Sequence, residues 1–380
     1  MASQYSSTVN EQSSVNLTEK RRAKSNDHNN DKSNDKETSR FTAASQFSRF
    51  SRYFWPLLGL ALVLGFNLVY SPEFFQIEIQ DGRLYGSLID VLNRSAPVAL
   101  LAIGMTLVIA TGGIDLSVGA TMAIAGAVCA NLIVGDVNSI VLVVGAGLLA
   151  GLVAGVVNGG LVAYMGIQPI VATLILMVAG RGIAQLINEG QIVTFQNPAF
   201  AFIGVGNFFG LPFPVVLVLI VFTLVQVLTR KTALGLFIEA VGCNASASYY
   251  LGINDRAIKV MVYCLAGLCA ALAGMISAAD IQGADANNAG LWLELDAILA
   301  VVIGGASLMG GRFSLPLSLV GVLVIQSLST TIIMSGLPAK FNLLIKALVV
   351  ILVLLLQSPR FQQQMQGLIS WKGFWKGIEK

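Results

Sequence analysis

The stretch NSIVLVVGAGLLAGLVAGVVNGGLVAY, residues 138–164, contains no charged side chain. It is longer than the roughly 20 apolar residues that a helix needs to cross a hydrocarbon core of about 30 Å. Glycines at positions 147, 151, 155 and 159 recur at steps of four and therefore share one helix face. The stretch predicts a membrane helix with a face free of side chains, suited to close packing against another helix or to sliding between two states.

The composition of the whole chain also indicates a membrane protein. Of its 380 residues, 55% are apolar and 11% are charged, whereas an ordinary soluble domain has about 25% charged residues. The charges are also concentrated, because residues 1–52 hold 15 of the 43. The remaining charges cannot cover the surface of a soluble globule, so the sequence predicts a multi-pass membrane protein with a polar N-terminal segment.

Ten stretches have the length and polarity of membrane spans and predict an all-α polytopic fold with about ten transmembrane helices. They are residues 53–70, 94–111, 116–135, 138–164, 169–187, 213–229, 257–279, 294–310, 314–335 and 341–358. The third, fourth, eighth and ninth have short, glycine-rich joins, which a re-entrant or broken helix would also show.

Polar segments flank the predicted transmembrane domain, residues 51–360, at both ends. Residues 1–50 are rich in Ser, Asn, Asp, Lys and Thr and predict a disordered cytoplasmic tail, either inert or regulatory. In the C-terminal segment, residues 361–380, aromatic side chains alternate with lysines. This pattern predicts an amphipathic cytoplasmic segment that lies on membrane lipid.

The charges of the loops predict that both termini lie in the cytoplasm. With the N-terminal segment inside, 18 of the 23 Lys and Arg residues fall in inner segments and five fall in outer ones. The outer loops are acidic instead. This asymmetry follows the positive-inside rule, and two inner termini require an even number of spans, which ten satisfies.

The chain lacks the side chains that most enzyme chemistry needs. Its single histidine, His28, lies in the polar N-terminal segment, and its four cysteines lack metal-ligand spacing. No phosphate-binding G-x-x-x-x-G-K-[ST] motif occurs, and the glycines of residues 204–210 lack dinucleotide-binding spacing. The small net charge of +3 suggests no nucleic-acid partner. We therefore expect no catalytic residue, no metal and no cofactor bound by this chain.

The segment TGGIDLSVG, residues 111–119, places a carboxylate between two predicted spans. A carboxylate is costly in hydrocarbon, whereas Asp and Ser are preferred residues at helix N-termini. Asp115 and Ser117 are therefore either capping residues or, together with Gly112 and Gly113, a gating motif.

The inner loop of residues 229–256 contains an amphipathic helical segment around Glu239, with Gly242 placed to end the helix. The segment is either a docking element for a partner or a solvated loop that merely obeys the positive-inside rule. In a solvated loop, Glu239→Lys and Gly242→Leu should each change stability by no more than about 1 kcal/mol.

The outer stretch of residues 285–296 is rich in carboxylates and amides and contains Trp292. Side chains of these kinds can bind sugar hydroxyls and sugar faces, dock a soluble protein, or cap a helix. The sequence leaves these three interpretations open.

Four motifs together resemble the membrane permeases of bacterial sugar ABC importers, the group that includes ribose, xylose, arabinose and galactose systems. They are TLVIATGGIDLSVGA, QPIVATLILMVAGRGIAQLI, TALGLFIEAVGCN and ELDAILAVVIGGASLMGG, and they occur in family order. The resemblance covers about residues 80–358. Within the group, GRLYGSLIDVLNR, GQIVTF and GADANNAGLWLELDA are most similar to the galactofuranose type.

This resemblance implies a transport subunit of the bacterial inner membrane that performs no bond chemistry. The implied partners are a cytoplasmic ABC ATPase that uses ATP, a periplasmic sugar-binding protein and a second permease, identical or different. The resemblance also implies a cytoplasmic coupling loop that docks on the ATPase. The matching residues are Thr232, Gly235, Glu239, Ala240, Val241, Gly242 and Asn244. The chain departs from the pattern after the asparagine, where members have paired alanines and it has Ala247 and Ser248.

Specificity in such a system would reside mainly in the binding protein, with weak polar contacts along the path. Asn131, Asn158 and Gln168 are candidates for those contacts, although such side chains also make hydrogen bonds between membrane helices. A branched-chain amino-acid ABC permease, an ion-coupled secondary transporter and a passive channel are the alternatives. The lack of a carboxylate or histidine well inside a span argues against ion coupling, and substrate competition or ATP depletion would test the other two.

Overall fold

The computed structural model describes residues 54–69, 72–80, 83–336, 338 and 341–357. The predictions for the N-terminal segment 1–50 and the C-terminal segment 361–380 fall outside these ranges and stay predictions.

The described residues are mostly helical, and their three strand pairs are short. The helices are α1 Phe54–Val69, α2 Ser87–Ala110, α3 Val118–Val134, α4 Ile140–Ala163, α5 Pro169–Ile187, α6 Pro198–Val205, α7 Phe213–Lys231, α8 Leu234–Cys243, α9 Ala245–Tyr250, α10 Asp255–Asp280, α11 Leu293–Ile303, α12 Leu315–Met334 and α13 Asn342–Gln357, with a 3-10 turn at Pro72–Phe75. The strands are β1 Glu78–Gln80, β2 Arg83–Tyr85, β3 Val193–Thr194, β4 Asn207–Phe208, β5 Leu211–Pro212 and β6 Gly283–Ala284. They form the antiparallel pairs β1–β2, β3–β6 and β4–β5.

Six of the described helices are long and apolar enough to cross a membrane: α2, α4, α5, α7, α10 and α12. This confirms a polytopic helical protein. The predicted span 294–310 is interrupted, because α11 ends at Ile303 and a turn follows at Gly304 and Gly305, whose φ is +82°. At 1.5 Å per residue, the 11 residues of α11 extend about 16 Å, roughly half the hydrocarbon thickness.

The glycine face of α4 packs against α10, as its spacing predicts. A Cβ added at Gly151 would lie 2.4 Å from the carbonyl oxygen of Gly267, and one at Gly155 would lie 2.5 Å from the carbonyl oxygen of Tyr263. The backbones of the two helices are therefore in direct contact. The structure supplies what the spacing could not, namely that α10 is the partner.

The two ends of the helix assembly carry different elements. At one end, α8 lies beside the loops 111–117 and 304–314, where the Gly311 N–H donates to the Ala110 carbonyl oxygen at 2.9 Å. At the other end, the β3–β6 pair lies beside α5, and the Asn188 amide donates to the Ala284 carbonyl oxygen at 2.9 Å. The candidate site residues fall at these two ends.

Candidate functional site

Helix α8 follows α7 after a tight turn and directs one face into the protein. Gly235, Ile238 and Val241 are buried, and their spacing of three places them on one side of the helix. Gly235 permits the turn, because a Cβ there would lie 2.1 Å from the Thr229 carbonyl oxygen. Leu236 lies on the opposite face and is 68% exposed. The predicted amphipathic helix is therefore present, with one face buried in the protein and the opposite face exposed.

Two of the predicted coupling residues fix the turns at the ends of α8. The Thr232 hydroxyl donates to the Leu228 carbonyl oxygen and accepts from the Leu234 N–H at 3.2 Å. Asn244 ends α8 and begins α9, where its side chain accepts the Ala247 N–H at 2.9 Å. Both side chains satisfy backbone groups that a helix end leaves free.

The prediction that Gly242 ends the helix is wrong, because α8 continues to Cys243. Position 242 requires a glycine for another reason. A Cβ there would lie 1.8 Å from the Ala110 carbonyl oxygen and 2.6 Å from the Gly311 nitrogen. The residue is thus in contact with the backbone of two other segments, and the expectation that Gly242→Leu changes stability only slightly is wrong as well.

The predicted coupling residues therefore divide between two environments. Those in contact with the chain itself are Gly235, Val241 and Gly242, and those that are partly or fully exposed are Thr232, Glu239, Ala240 and Asn244. Leu236 was missed by sequence reasoning. Its signal was an apolar side chain on the helix face opposite the buried Ile238 and Val241.

Asp115 and Ser117 form a buried polar cluster with Asn158 of α4. The Asp115 Oδ1 atom accepts from the Ser117 N–H at 2.9 Å and from the Ser117 hydroxyl at 2.6 Å. The Asn158 Nδ2 atom donates to Ser117 Oγ at 2.7 Å. Burial raises the pKa of the Asp115 carboxyl, and the hydrogen bonds from Ser117 oppose that shift. Asp115 accepts the N–H of Ser117, the N-cap residue of α3, but no side chain among the described residues makes a capping hydrogen bond to the first turn of α3. The capping interpretation is therefore wrong for Asp115 and Ser117, and the gating role stays a prediction.

The three path candidates lie in separate surroundings. Asn131 Nδ2 donates to Asn188 Oδ1 at 2.8 Å, which joins α3 to the segment after α5. Asn158 belongs to the buried cluster, and Gln168 is exposed just before α5. Asn131 and Asn158 thus make hydrogen bonds between separate elements, which is the alternative that the sequence analysis left open for them. That they line a transport path stays a prediction.

Comparison with known proteins identifies the family. The sequence profile described as a branched-chain amino acid transport system permease component matches residues 87–354. The galactofuranose transporter permease of Escherichia coli (strain K12) is 59% identical over 324 residues, which are 84% of this chain and 95% of that protein. The chain belongs to the permeases of sugar ABC importers.

Other relatives of this permease are named as importers of other sugars. The fructose import permease of Bifidobacterium longum is 40% identical over 80% of this chain and 87% of its own length. The ribose import permease of Escherichia coli (strain K12) is 37% identical over 80% of this chain and 93% of its own length. These relatives confirm the resemblance seen in the motifs and favour the sugar interpretation over the amino-acid alternative. No solved structure matches the chain.

The permease has a second hydrogen-bonded region at the end opposite α8. Arg181 of α5 donates from Nη1 to the carbonyl oxygens of Ala286 at 3.1 Å and Ala289 at 2.6 Å. Gln185 Nε2 donates to Asn287 Oδ1 at 2.7 Å. Helix α5 thus holds the loop between β6 and α11. Sequence reasoning gave Arg181 only as an outer charge, although an isolated arginine in an apolar helix signals a fixed partner.

Asp285 organises the same loop from within. Its carboxylate accepts the N–H groups of Asn287 at 2.9 Å and Asn288 at 3.1 Å, and the Asn288 side-chain amide at 2.8 Å. Burial acts to raise the pKa of Asp285, but the hydrogen bonds from Asn288 and Asn287 and the charge of Arg181 outweigh it, so the pKa is lowered. Asp285 thus stabilises a turn and caps no helix, because α11 begins only at Leu293. Sugar binding and docking of a soluble protein stay predictions for this stretch.

Proposed function

We propose that this permease forms the membrane path for a monosaccharide such as galactofuranose in an ATP-driven importer that works by alternating access. The observation that carries the proposal is the 59% identity to the galactofuranose transporter permease over 95% of that protein. The fructose and ribose import permeases are less similar, at 40% and 37%, so galactofuranose is the first substrate to test.

We infer ten crossings with both termini inside the cell. The end of α2 meets the α8 region through Ala110, and α3 ends near Asn131 at the opposite side, beside Asn188. Successive helices therefore run in alternating directions. Helix α11 together with the loop 304–314 counts as one crossing, because Gly311 returns the chain to the α8 end. The basic loops adjoining α8 favour a cytoplasmic location for that end.

The partner ATPase is proposed to dock on the exposed face of α8, through Leu236, Glu239 and Ala240. The chain has no phosphate-binding motif of its own, so ATP would be bound and hydrolysed by the partner and would act through a surface contact. An apolar side chain that is 68% exposed at a helix end, such as Leu236, is a suitable anchor for a groove.

The opposite face is proposed to receive a periplasmic sugar-binding protein. The Arg181 and Asp285 hydrogen bonds hold the loop 285–292 in one shape, as a preorganised docking surface requires. A second permease, identical or different, would complete the path in the bacterial inner membrane.

Uptake of radiolabelled galactofuranose, ribose and fructose in a strain that lacks this chain, with and without its restoration, tests the proposal. Restoration should return uptake of one of these sugars, and depletion of ATP should stop it. Excess unlabelled leucine should not compete. Uptake that survives ATP depletion would support a passive channel, and competition by leucine would support the amino-acid alternative.

A further inference from the structure

Two glycine-containing loops from distant parts of the chain enclose the end of α8. We propose that the loops 111–117 and 304–312 form a rigid seat for this end, which transmits movement of α8 to the membrane helices. The inference rests on the proposed function in one respect, namely that the ATPase acts on α8. It adds a role for the loop 304–312 and for Asp115.

The seat is made of backbone in direct contact. The Gly311 N–H donates to the Ala110 carbonyl oxygen at 2.9 Å, and Gly242 lies against both of these atoms. Gly310 has a positive φ of +89° and no room for a side chain. A Cβ added there would lie 2.8 Å from the Gly242 carbonyl oxygen and 2.9 Å from the Gly112 nitrogen. Because no flexible side chain separates the three segments, a displacement of one is passed directly to the others.

Phe313, the residue that follows the loop 304–312, is attached to α7, the helix that leads into α8. The Arg230 guanidinium lies 5.9 Å from the centre of the Phe313 ring and donates to the Phe313 carbonyl oxygen at 3.5 Å. The seat is thus held from both sides of α8.

From the seat, the loop 111–117 contacts three membrane helices. A Cβ at Gly113 would lie 2.8 Å from the Tyr263 hydroxyl of α10. The Thr173 hydroxyl of α5 donates to the Ile114 carbonyl oxygen at 3.2 Å, and Asp115 and Ser117 bind Asn158 of α4. Displacement of the loop would therefore reach α4, α5 and α10 together.

Two buried polar atoms in this region could gain partners in a second arrangement of the loop. Asn158 Oδ1 and the Tyr263 hydroxyl are buried and have no hydrogen-bond partner among the described residues. Buried polar atoms without partners are rare in a single stable arrangement. A second state, in which the loop shifts and these atoms gain partners, would give the cluster the bistability that a switching element needs.

The experiment measures sugar uptake and ATP hydrolysis in the same vesicles, reconstituted with the permease pair, the ATPase and the sugar-binding protein. Gly310→Ala forces a Cβ into the seat and should lower the sugar moved per ATP at least tenfold while hydrolysis stays within twofold of the parent. Gly166→Ala is the matched control, because Gly166 also has a positive φ, +69°, but nothing lies within 4 Å of an added Cβ. The amount of sugar moved per ATP by Gly166→Ala should equal that of the parent.

A pair of variants at Asp115 tests the same route without added bulk. Asp115→Ala removes the acceptor for both Ser117 donors and should lower the sugar moved per ATP, whereas Asp115→Asn retains an Oδ1 acceptor and should restore the ratio. If Gly310→Ala does not fold, the two Asp115 variants alone test whether the seat transmits movement of α8. A parental ratio in Asp115→Ala, and in Gly310→Ala where it folds, overturns the seat while leaving the proposed function intact. Absence of ATP-dependent uptake in the parent protein overturns the proposed function itself.

Discussion

Glu239 and Gly242 are three residues apart on α8 but have different surroundings. Glu239 is partly exposed on the helix surface, whereas Gly242 touches the backbone of Ala110. Substitutions at the two positions should therefore fail in different ways, one at the proposed docking face and the other within the fold.

Glu239→Lys should abolish ATP-driven sugar uptake with little loss of stability. A substitution at a partly exposed position usually changes the free energy of unfolding by about 0.5 kcal/mol or less. The reversed charge would repel a basic groove on the ATPase, the groove that Glu239 implies. Uptake in cells is compared with membrane abundance by immunoblot. Parental uptake by a fully abundant Glu239→Lys protein would contradict the docking role of this face.

Gly242→Leu should instead destabilise the permease. The added side chain meets the Ala110 carbonyl oxygen, and overpacking of this kind costs about 1–3 kcal/mol. The apparent melting temperature in detergent is the measurement, with Gly160→Ala as a helical control that has nothing within 4 Å of an added Cβ. Equal melting temperatures for Gly242→Leu and the control would show that α8 does not lie against Ala110.

At this scale the sequence predicted the amphipathic helix α8 but not the reason for its glycines. From the sequence, Glu239, Ala240 and Gly242 belong to one predicted docking loop, with Gly242 expected to end its helix. Only tertiary contact shows that Gly242 faces Ala110 and Gly311, which are more than 60 positions away in either direction. The hydrophobic periodicity of one helix carries no information about such contacts.

At the scale of elements, the packing of α4 on α10 depends on which glycines face inward. Gly151, Gly155 and Gly159 all contact the α10 backbone or its first side-chain carbon, whereas Gly145 and Gly160 of the same helix have nothing within 4 Å. Without a hydrophobic driving force between helices in lipid, this close approach is the main source of association.

Gly155→Ala should therefore lower stability, and Gly145→Ala should not. A Cβ at Gly155 would lie 2.5 Å from the Tyr263 carbonyl oxygen, so the helices must separate, at a cost of about 1–3 kcal/mol. Gly145→Ala should be neutral or stabilising by up to about 1 kcal/mol. Melting temperatures of the two purified variants provide the comparison, and equal values would argue against direct contact of α4 with α10.

The spacing of four predicted the packed face of α4 because a helix surface is periodic. For the span 294–310, the short and glycine-rich joins leave a continuous helix and a broken one both open. The positive φ of Gly305 and the return of Gly311 to Ala110 interrupt it. Apolar composition alone does not distinguish a full span from a half helix and a loop.

At the scale of the whole molecule, both ends are held by backbone contacts and side chains together. At the α8 end, Gly242 and Gly310 touch neighbouring backbone, and Asp115 and Asn158 add side-chain hydrogen bonds through Ser117. In the loop 285–292, Arg181 and Asp285 bind backbone groups, and Gly290 lies against the backbone of Gly119. The loops that the proposed function uses at the two faces are therefore both held in fixed positions.

The proposed orientation predicts opposite accessibility for two exposed positions, Cys243 beside the seat and Asn287 in the loop held by α5. A membrane-impermeant maleimide reacts only with thiols on the side to which it is added. In spheroplasts it should label Asn287→Cys made in a Cys243→Ser background, and it should leave the native Cys243 unlabelled. In inverted vesicles from cells without the ATPase, the pattern should reverse. Labelling of both positions from the same side would overturn the ten-crossing topology, because an odd number of crossings must separate residue 243 from residue 287.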